Sequence, residues 1–501
     1  MLTKNLRISN LSKTLAKRAR RPAGANAAAP LAPEYMPVHF TNADEYVHLN
    51  KEGIPVQNYN NQIIDIQTYD QEVMELVNEE AERQRRSIDL IASSNIPVAG
   101  INECTTILGN KSSPGYPNGR FFNGDETIDK IERLCCKRAL EAFELDDKQW
   151  HVNVQTLSGS VANLAAFNSI CEPGDTILAL CTKVGGGHHT YGLQDENNNP
   201  TGLYSKVYNF EYYHVNEDST INYEDAYRKA LECKPKVIIA GASTYPREID
   251  WKKFRRICDE TGAIMMADIA HGFGLKIAGV NKAPFPHADI VTASTSKSMR
   301  GPRAGVIYCK KRYAEKVDAS VFPGIMGAPQ NNCIGSLAMT FKYCKSQEYK
   351  EYCERTVDNS RTIASELSKR GNKIVTGGTD TNIMMWDVKP YGIPASNVMT
   401  IGEALNIQFN CTTLPSDKTM NYKGQGGIRL GTNVISARGY QHDDCKEVAR
   451  YLDEMIHISH SLEKPGTNVY TEAIALKDLA IEVEEFAYKF PLPGLTSQHI
   501  F

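Results

Sequence analysis

Short apolar runs alternate with amphipathic segments through the middle of the chain. Such runs, flanked by polar or turn-forming residues, are typical of buried parallel strands, which are apolar on both faces and are joined by helices. The pattern therefore predicts an α/β fold with a mainly parallel sheet covered on both sides. The runs are VNV (152–154), DTILALCT (175–182), KVIIAGAS (236–243), AIMMADIA (263–270) and DIVTAS (289–294).

Helical periodicity frames this region, and a second group of strands follows it. In residues 125–145 the period predicts that Ile128, Ile131, Leu134 and Cys135 face inward. Strand-like NKIVTGG (372–378), NIMMWDV (382–388) and GGIRLGT (426–432) indicate a smaller α+β domain. The predicted divisions are a presequence (1–33), an N-terminal arm (34–90), a large domain (91–345), a small C-terminal domain (346–462) and a C-terminal extension (463–501) with one acidic helix.

Composition indicates an ordinary globular protein. Of 501 residues 41% are hydrophobic and 23% charged, and the net charge of −3 gives no reason to expect a nucleic-acid surface. No apolar run reaches the length that a bilayer requires, so no membrane span is predicted. The 13 cysteines lack CxxC spacing. Reduced thiols and no metal site are therefore expected.

The N-terminus has a different character. Residues 1–33 contain seven Lys or Arg residues, and no acidic residue appears before Glu34. Leucines and an isoleucine can form an apolar stripe beside these charges, which is typical of a mitochondrial presequence and predicts a matrix location. The alternative is a basic tail without a targeting role.

A lysine within VTASTSKSMRGPRAG (291–305) is the first candidate for chemistry. Lys297 lies among small hydroxyl residues after an apolar strand and before a Gly-Pro-Arg turn. Desolvation at such a site favours the neutral amine that attacks a carbonyl, so the residue suits a Schiff base. The alternative is an ordinary lysine in a surface loop.

Two upstream stretches favour a site for pyridoxal phosphate (PLP). AIMMADIAH (263–271) ends an apolar strand with Asp268, which could keep the ring nitrogen protonated, and His271 follows. Ser158-Gly159-Ser160 precede a helical pattern, and small residues at a helix N-terminus make a phosphate site. The phosphate loop, the aspartate at the end of a strand and the lysine follow one another along the chain in the order found in PLP enzymes.

At these residues the chain resembles the serine hydroxymethyltransferase family of fold-type-I PLP enzymes. The resemblance implies an aspartate-aminotransferase-like fold, with a mainly parallel seven-stranded sheet in the large domain. It also implies a homodimer, or a dimer of dimers, with shared sites. The matching stretches, colinear over about residues 68–460, are IDLIASSN (88–95), GYPNGRFFNG (115–124), NVQTLSGSVAN (153–163), GGHHTYG (186–192), DIAHGFGL (268–275), STSKSMRGPRAG (294–305), VFPG (321–324) and GGIRLGT (426–432).

The resemblance also assigns roles to individual residues. It implies that Lys297 holds PLP covalently, that Asp268 pairs with the pyridine nitrogen, and that His271 lies near the ring oxygen. Serine or glycine would be the substrate. The other implied positions are Ser158, Gly159 and Ser160 for the phosphate, His188 for stacking on the ring, Ser243 as a donor to the cofactor, Arg303 as a further positive group, and Ser93 and Arg429 for the substrate carboxylate.

The substrate side departs from the family pattern. Pro114 stands where the family has its catalytic glutamate, and proline cannot act as an acid or base. Polar Lys183 and His189 stand where the family places leucines around the folate, so tetrahydrofolate binding is in question. The other departures are Ser112, Phe121 and Phe122 in place of tyrosines, and Ser296 in place of a histidine.

Three hypotheses follow from this combination. The first is a mitochondrial PLP enzyme of serine–glycine and one-carbon metabolism, which forms aldimines with serine or glycine and turns over weakly with folate. The second is a non-catalytic descendant that serves as a structural or regulatory subunit of a mitochondrial assembly. The third is a folate-independent aldolase for β-hydroxy amino acids. The N- and C-terminal extensions could each bind a protein partner.

Overall fold

The computed structural model describes residues 70–493, apart from 184–185, 196, 198, 418–423 and 465–468. These residues belong to one compact unit, Ile66–Phe501. The predicted presequence and the predicted arm up to residue 69 lie outside the described residues. None of the helices within the described ranges combines the length and the apolar composition needed to cross a bilayer.

The described chain begins with helix α1 (Gln71–Arg85) and the short strand β1 (Ile88–Asp89). Asp70 caps α1, because its carboxylate accepts a hydrogen bond from the N–H of Val73. The apolar face of α1 is exposed, with Leu76 60% accessible. Packing of this face therefore contributes little to holding α1 in place.

Seven strands form the sheet at the centre of the large domain, and in space their order is β2-β10-β9-β8-β7-β3-β6. Strand β10 runs antiparallel to both of its neighbours, and the remaining pairings are parallel. The mainly parallel seven-stranded sheet is thus confirmed. The strands are β2 (Trp150–Asn153), β3 (Thr176–Leu180), β6 (Asn209–Tyr213), β7 (Val237–Gly241), β8 (Ile264–Asp268), β9 (Ile290–Ser294) and β10 (Gly305–Lys310), with β4 (Leu193–Gln194) and β5 (Pro200–Thr201) paired as a separate hairpin.

Helices cover both faces of this sheet and bury a separate apolar core on each face. The strands are buried on both sides for this reason, which explains their nearly continuous apolar runs. The helices are α2 (Glu126–Glu141), α3 (Gly159–Ile170), α4 (Gly202–Val207), α5 (Tyr223–Cys233), α6 (Trp251–Thr261), α7 (Phe273–Ile277), α8 (Ala314–Val321) and α9 (Asn331–Tyr343).

One prediction for α2 is wrong. Leu134 is 41% exposed, although the apolar period placed it inward. Asp129 and Glu132 occupy the buried face instead, because the guanidinium of Arg120 binds both carboxylates at 2.9 and 2.5 Å. Buried charges of this kind require a partner, and here the partner comes from outside the helix.

The small domain has its own sheet and core. Its four antiparallel strands have the order β11-β12-β15-β14, and β13 pairs in parallel with β1. Its elements are α10 (Gln347–Lys369), β11 (Lys373–Ile374), β12 (Ile383–Asp387), α11 (Ala395–Ala404), β13 (Ile407–Gln408), β14 (Asn410–Thr412), β15 (Gly427–Gly431), α12 (Asn433–Ala437), α13 (His442–Leu462) and α14 (Val469–Ala487).

The C-terminal helix α14 packs on this small-domain core through Leu479, Val483 and Phe486. Arg438 then ties both ends of the described chain to the small domain. Its guanidinium is buried and donates five hydrogen bonds of 2.7–3.1 Å to main-chain oxygens. The acceptors are the carbonyls of Gln84, Arg85, Ser87, Ala487 and Phe490.

Candidate active site

The predicted chemical groups meet at the carboxyl-terminal edge of the large sheet. Asp268 is the last residue of β8, and Lys297 lies in the loop that follows β9. Carboxyl ends of parallel strands share one edge, where α/β proteins bind their ligands. The positive charge of Lys297 and the negative charge of Asp268 act on each other across this edge.

Asp268 is held as a hydrogen-bond acceptor from several directions. Its Oδ2 accepts from Asn163 Nδ2 and from the Tyr191 hydroxyl, each at 2.9 Å. Its Oδ1 accepts from the N–H of Ala270 at 3.0 Å. These three donors fix the orientation of the buried carboxyl group. This carboxylate therefore suits a partner that carries an acidic N–H.

The Lys297 amine is far less basic than a lysine in water. Burial lowers its pKa to about 8, and the nearby positive charges of Arg429 and Arg303 act in the same direction. The carboxylate of Asp268 opposes this shift. The amine is thus substantially neutral just above physiological pH, as a nucleophilic lysine requires. Asn95 fixes the backbone here by donating to the carbonyl of Lys297 at 2.7 Å.

The N-terminus of α3 forms a small, polar cradle. Ser158 caps the helix, with its Oγ accepting from the N–H of Val161 at 3.3 Å. A Cβ at Gly159 would lie 3.2 Å from the Cβ of Ser294, so any larger residue would crowd the loop before Lys297. The first N–H groups of a helix have no partner within it, and they carry the positive end of its dipole. The cradle fits a phosphate group.

Arg429 brings the small domain to the edge of the same site. It lies on β15, and its Nη1 donates to the carbonyl and hydroxyl oxygens of Ser243 at 3.0 and 3.2 Å. Its Nε donates to Asn410 Oδ1 at 3.0 Å. Burial lowers the pKa of Arg429 to about 10, so a bound carboxylate would stabilise a charge that is otherwise poorly solvated.

Two histidines complete the walls. His271 is buried, with Nε2 3.4 Å from the Ser243 hydroxyl. Burial lowers its pKa well below the ordinary value, and positive Lys297 and Arg429 add to the effect. Burial also lowers the pKa of His188 to about 4. Both rings are therefore neutral at physiological pH and can contact an aromatic ligand without adding charge.

Comparison with known proteins shows to which family the chain belongs. The model of a family described as serine hydroxymethyltransferase matches residues 66–452, which is most of the chain. The chain belongs to the serine hydroxymethyltransferase family. Its members depend on PLP and act on amino acids.

Individual serine hydroxymethyltransferases are similar over nearly their whole length. That of Desulfotalea psychrophila is 38% identical over 436 residues, which cover 87% of this chain and 97% of that protein. The mitochondrial enzyme of Saccharomyces cerevisiae is 36% identical over 455 residues, covering 85% and 92%. The cytosolic enzyme of Candida glabrata is 36% identical over 434 residues, covering 83% and 91%.

Two further family positions lie at the margin of the site. Ser93 is half-buried in the loop that follows β1, and Arg303 is exposed in the turn after Lys297. Arg303 acts on Lys297 through its charge, and no other contact to a cofactor group follows from its position. Within the described ranges no cluster of three or more His, Cys, Asp or Glu side chains is arranged to hold a metal ion.

The loop that lacks the family glutamate is nevertheless firmly built. Arg120 donates to the carbonyls of Ser113 and Gly115, on either side of Pro114, at 3.0 and 2.5 Å. The carbonyl of Pro114 accepts from the N–H of Phe121 at 3.0 Å. The backbone that carries position 114 is therefore fixed from several sides. The acidic side chain is absent, but the scaffold that would present it remains.

Three of the other departures lie on this loop. Ser112 is exposed, and the side chains of Phe121 and Phe122 are 73% and 55% accessible in the single chain. Phe121 packs edge-on against Phe322, with ring centroids 5.6 Å apart. Phenyl rings at these positions offer apolar area but no hydroxyl for a hydrogen bond.

The sequence analysis missed two groups that support Asp268, namely Asn163 and Tyr191. Asn163 lies in the otherwise apolar pattern VANLAAFNSI and is only 1% exposed. A polar amide in the buried part of a helix requires partners, and this was the available signal. Tyr191 gave no comparable signal, because its partner lies 77 residues further along the chain.

Proposed function

We propose that this protein is a PLP-dependent enzyme that acts on serine or glycine. The observation that carries the proposal is a lysine of lowered pKa opposite a carboxylate that accepts three hydrogen bonds. Lys297 would hold the cofactor covalently, and Asp268 would pair with its ring nitrogen. When bound, PLP supplies an electron sink that weakens the bonds at the substrate Cα.

The surrounding residues would orient the cofactor. The cradle of Ser158, Gly159 and Ser160 would take the phosphate, and His188 would lie against the ring. His271 and Ser243 would face the ring oxygen, and Arg303 would add positive charge. No titratable group in this set needs to change its protonation state for binding, since the histidines are already neutral.

Arg429 would bind the substrate carboxylate, with Ser93 beside it. Arg429→Lys keeps the charge but loses the planar pair of donors. We expect glycine affinity to fall by about 10- to 100-fold, since a charge-assisted hydrogen bond contributes roughly 1.5–3 kcal/mol. PLP should stay bound. The measurement is an absorption titration of the PLP-loaded protein with glycine.

Arg355→Lys is the matched control for this titration. Arg355 is also a part-buried arginine of the small domain, and it donates to the carbonyl of Ser436 at 3.2–3.3 Å. Its replacement should leave glycine affinity unchanged. Equal affinity in wild type and Arg429→Lys would show that Arg429 does not recognise the carboxylate.

Folate-dependent turnover is proposed to be weak. Pro114 leaves no acid or base at the family's catalytic position, and loss of such a group costs roughly a hundred- to ten-thousandfold in rate. Lys183 and His189 make the place of the folate-contacting leucines polar. A folate-independent cleavage of β-hydroxy amino acids would be less affected, because it depends chiefly on the electron sink.

A non-catalytic role in a mitochondrial assembly is the second candidate. It is favoured by Pro114 and by the exposed apolar rings of Phe121 and Phe122, which could contact another chain. The glycine titration separates the two candidates. A protein that takes up no PLP and shows no spectral response to glycine would favour the structural role.

We also propose that the protein is a homodimer, or a dimer of dimers, in the mitochondrial matrix. The support is the basic, acid-free segment 1–33 and the mitochondrial names of relatives from Saccharomyces cerevisiae and Eremothecium gossypii. Mass spectrometry of the native protein should find a new N-terminus near the Ala-rich stretch at residues 23–30. Recovery of the intact Met1 end from cytosol would contradict this address.

A further inference from the structure

A chain of buried hydrogen bonds connects Asp268 and His188, the two residues expected to contact the cofactor ring. Asn163 lies at its centre, on α3. Its Nδ2 donates to Asp268 Oδ2 and to Thr190 Oγ1, each at 2.9 Å. Thr190 Oγ1 in turn lies 2.8 Å from Nδ1 of His188. One amide therefore contacts both the acidic residue and the partner of the histidine.

The orientation of the Asn163 amide is fixed by a third neighbour. Thr292 on β9 places its hydroxyl 2.6 Å from Asn163 Oδ1. A hydroxyl can donate to this oxygen, and a carboxylate can accept only from the nitrogen, so the two ends of the amide cannot be exchanged. Asn163 and Thr292 are each at most 1% exposed, so water does not compete for these bonds.

The same reasoning assigns the proton on His188. Thr190 Oγ1 accepts from Asn163, and its own hydrogen can point at His188 Nδ1. The backbone N–H of Thr190 also points at Nδ1, at 3.4 Å. Two donors aimed at one ring nitrogen require that it be the acceptor. The proton of neutral His188 then lies on Nε2.

At the other end, two side-chain donors fix the orientation of the Asp268 carboxyl group. Burial and the charge of Asp268 raise the pKa of the Tyr191 hydroxyl well above its ordinary value, so this group remains a donor. Asn163 has no acidic hydrogen to lose in the relevant pH range. Neither donor can therefore reverse its role as pH changes.

We propose that Asn163 is a positioning residue that sets both ring partners at once, fixing the orientation of the Asp268 carboxyl group and holding His188 as the neutral tautomer with its proton on Nε2. The proposal deepens the proposed PLP function. It rests on that function only because Asp268 and His188 are there proposed to contact the PLP ring. The hydrogen-bond chain is a property of the protein itself.

The charged groups around His188 give the expected direction of change. Burial is the main cause of its low pKa, Lys297, Arg429 and the neighbouring His189 add to the lowering, and Asp268 opposes it. A donor at Nδ1 stabilises the neutral ring further. Loss of that donor should therefore move the titration of His188 upward.

The test is nitrogen NMR of histidine-labelled protein without cofactor, with His188 assigned from a His188→Gln variant. Wild type should show the Nε2–H tautomer for His188. In Asn163→Ala the Thr190 hydroxyl is free to turn and accept, so the tautomers should mix and the titration midpoint should rise by about one pH unit. Asn168→Ala is the control, because Asn168 is on the same helix and donates to Ser320 at 2.9 Å.

Two further variants test the two ends of the hydrogen-bond chain separately. Thr190→Val removes the hydroxyl donor to His188 but leaves the backbone N–H of Thr190 and the Asn163–Asp268 bond, so the titration midpoint of His188 should rise and the affinity for PLP should not change. Tyr191→Phe removes a donor to Asp268, so PLP affinity should fall several-fold while His188 keeps its tautomer. Thr190→Val is nearly isosteric and gives a result even if Asn163→Ala fails to fold.

An unchanged titration midpoint of His188 in Thr190→Val, or the same change in Asn168→Ala as in Asn163→Ala, would overturn the proposal. Failure of the proposed function would look different. In that case wild type would not bind PLP, whereas the NMR of the cofactor-free protein would still show whether Asn163 controls His188.

Discussion

Borohydride reduction of the PLP-loaded protein should attach the cofactor to Lys297 and to no other lysine. Lys297→Ala should abolish this labelling and lower serine turnover by on the order of a thousandfold or more, because the residue supplies the reacting amine. Attachment of PLP to the cofactor-free protein requires the neutral amine. The rate of this attachment should rise with pH through about 8, the pKa of Lys297, and then level off. Peptide mapping identifies the labelled lysine, and a series of pH values gives the dependence of the rate on pH.

Lys276 provides a stringent control for this experiment. Burial lowers its pKa to about 8 as well, but the negative charge that acts on it is that of Glu248 rather than that of Asp268. If lowered basicity alone decided the reaction, both lysines would be labelled. Labelling of Lys276, or persistent labelling in Lys297→Ala, would contradict the assignment of the cofactor site.

Restoring the missing groups should restore the missing reaction. We expect the double variant Ser112→Tyr, Pro114→Glu to increase folate-dependent serine cleavage by roughly a hundred- to ten-thousandfold, the usual contribution of a positioned acid or base. The structural reason is Arg120, which holds the carbonyls of residues 113 and 115 in place. Glutamate readily adopts the φ that proline requires, so the loop can present the new carboxylate without rebuilding.

Serine turnover with and without tetrahydrofolate measures this effect. The variant Ser112→Tyr, Pro114→Gln is the matched control, because glutamine fills the same space but does not titrate. It should remain at the wild-type rate. Fast, folate-stimulated turnover in the wild type would show that another residue already performs the role of the glutamate. Equal gains from Glu and Gln would show that proline acts through loop shape alone.

The central sheet could be predicted because its signal is local. Each strand from β7 to β9 lies within one apolar run, and burial on both faces made these runs conspicuous. The helix α2 shows where such reasoning fails. Arg120 determines which face of α2 is buried, because it contacts Asp129 and Glu132 from outside the helix. The spacing of apolar residues gives no sign of such a charged partner.

The candidate site shows the same difference between local signals and contacts from distant parts of the chain. Lys297, Asp268 and Ser158 could be found because each follows or begins a recognisable element. The contact of Arg429 with Ser243 joins residues 186 positions apart, and no local pattern predicts it. The chain from Thr292 through Asn163 to His188 likewise depends on three separate segments. Sequence predicted the reacting groups, whereas the structure was needed to show what orients them.

Arg438 has a consequence for the order in which the protein becomes complete during synthesis. Its guanidinium holds the carbonyls of Ala487 and Phe490, and α14 supplies Val483 to the small-domain core. These residues are synthesised after every strand of the large sheet. The small-domain core, on which the strand that carries Arg429 packs, therefore becomes complete only when α14 has left the ribosome. A nascent chain that has not yet reached α14 lacks the contacts that hold this part of the candidate site in place.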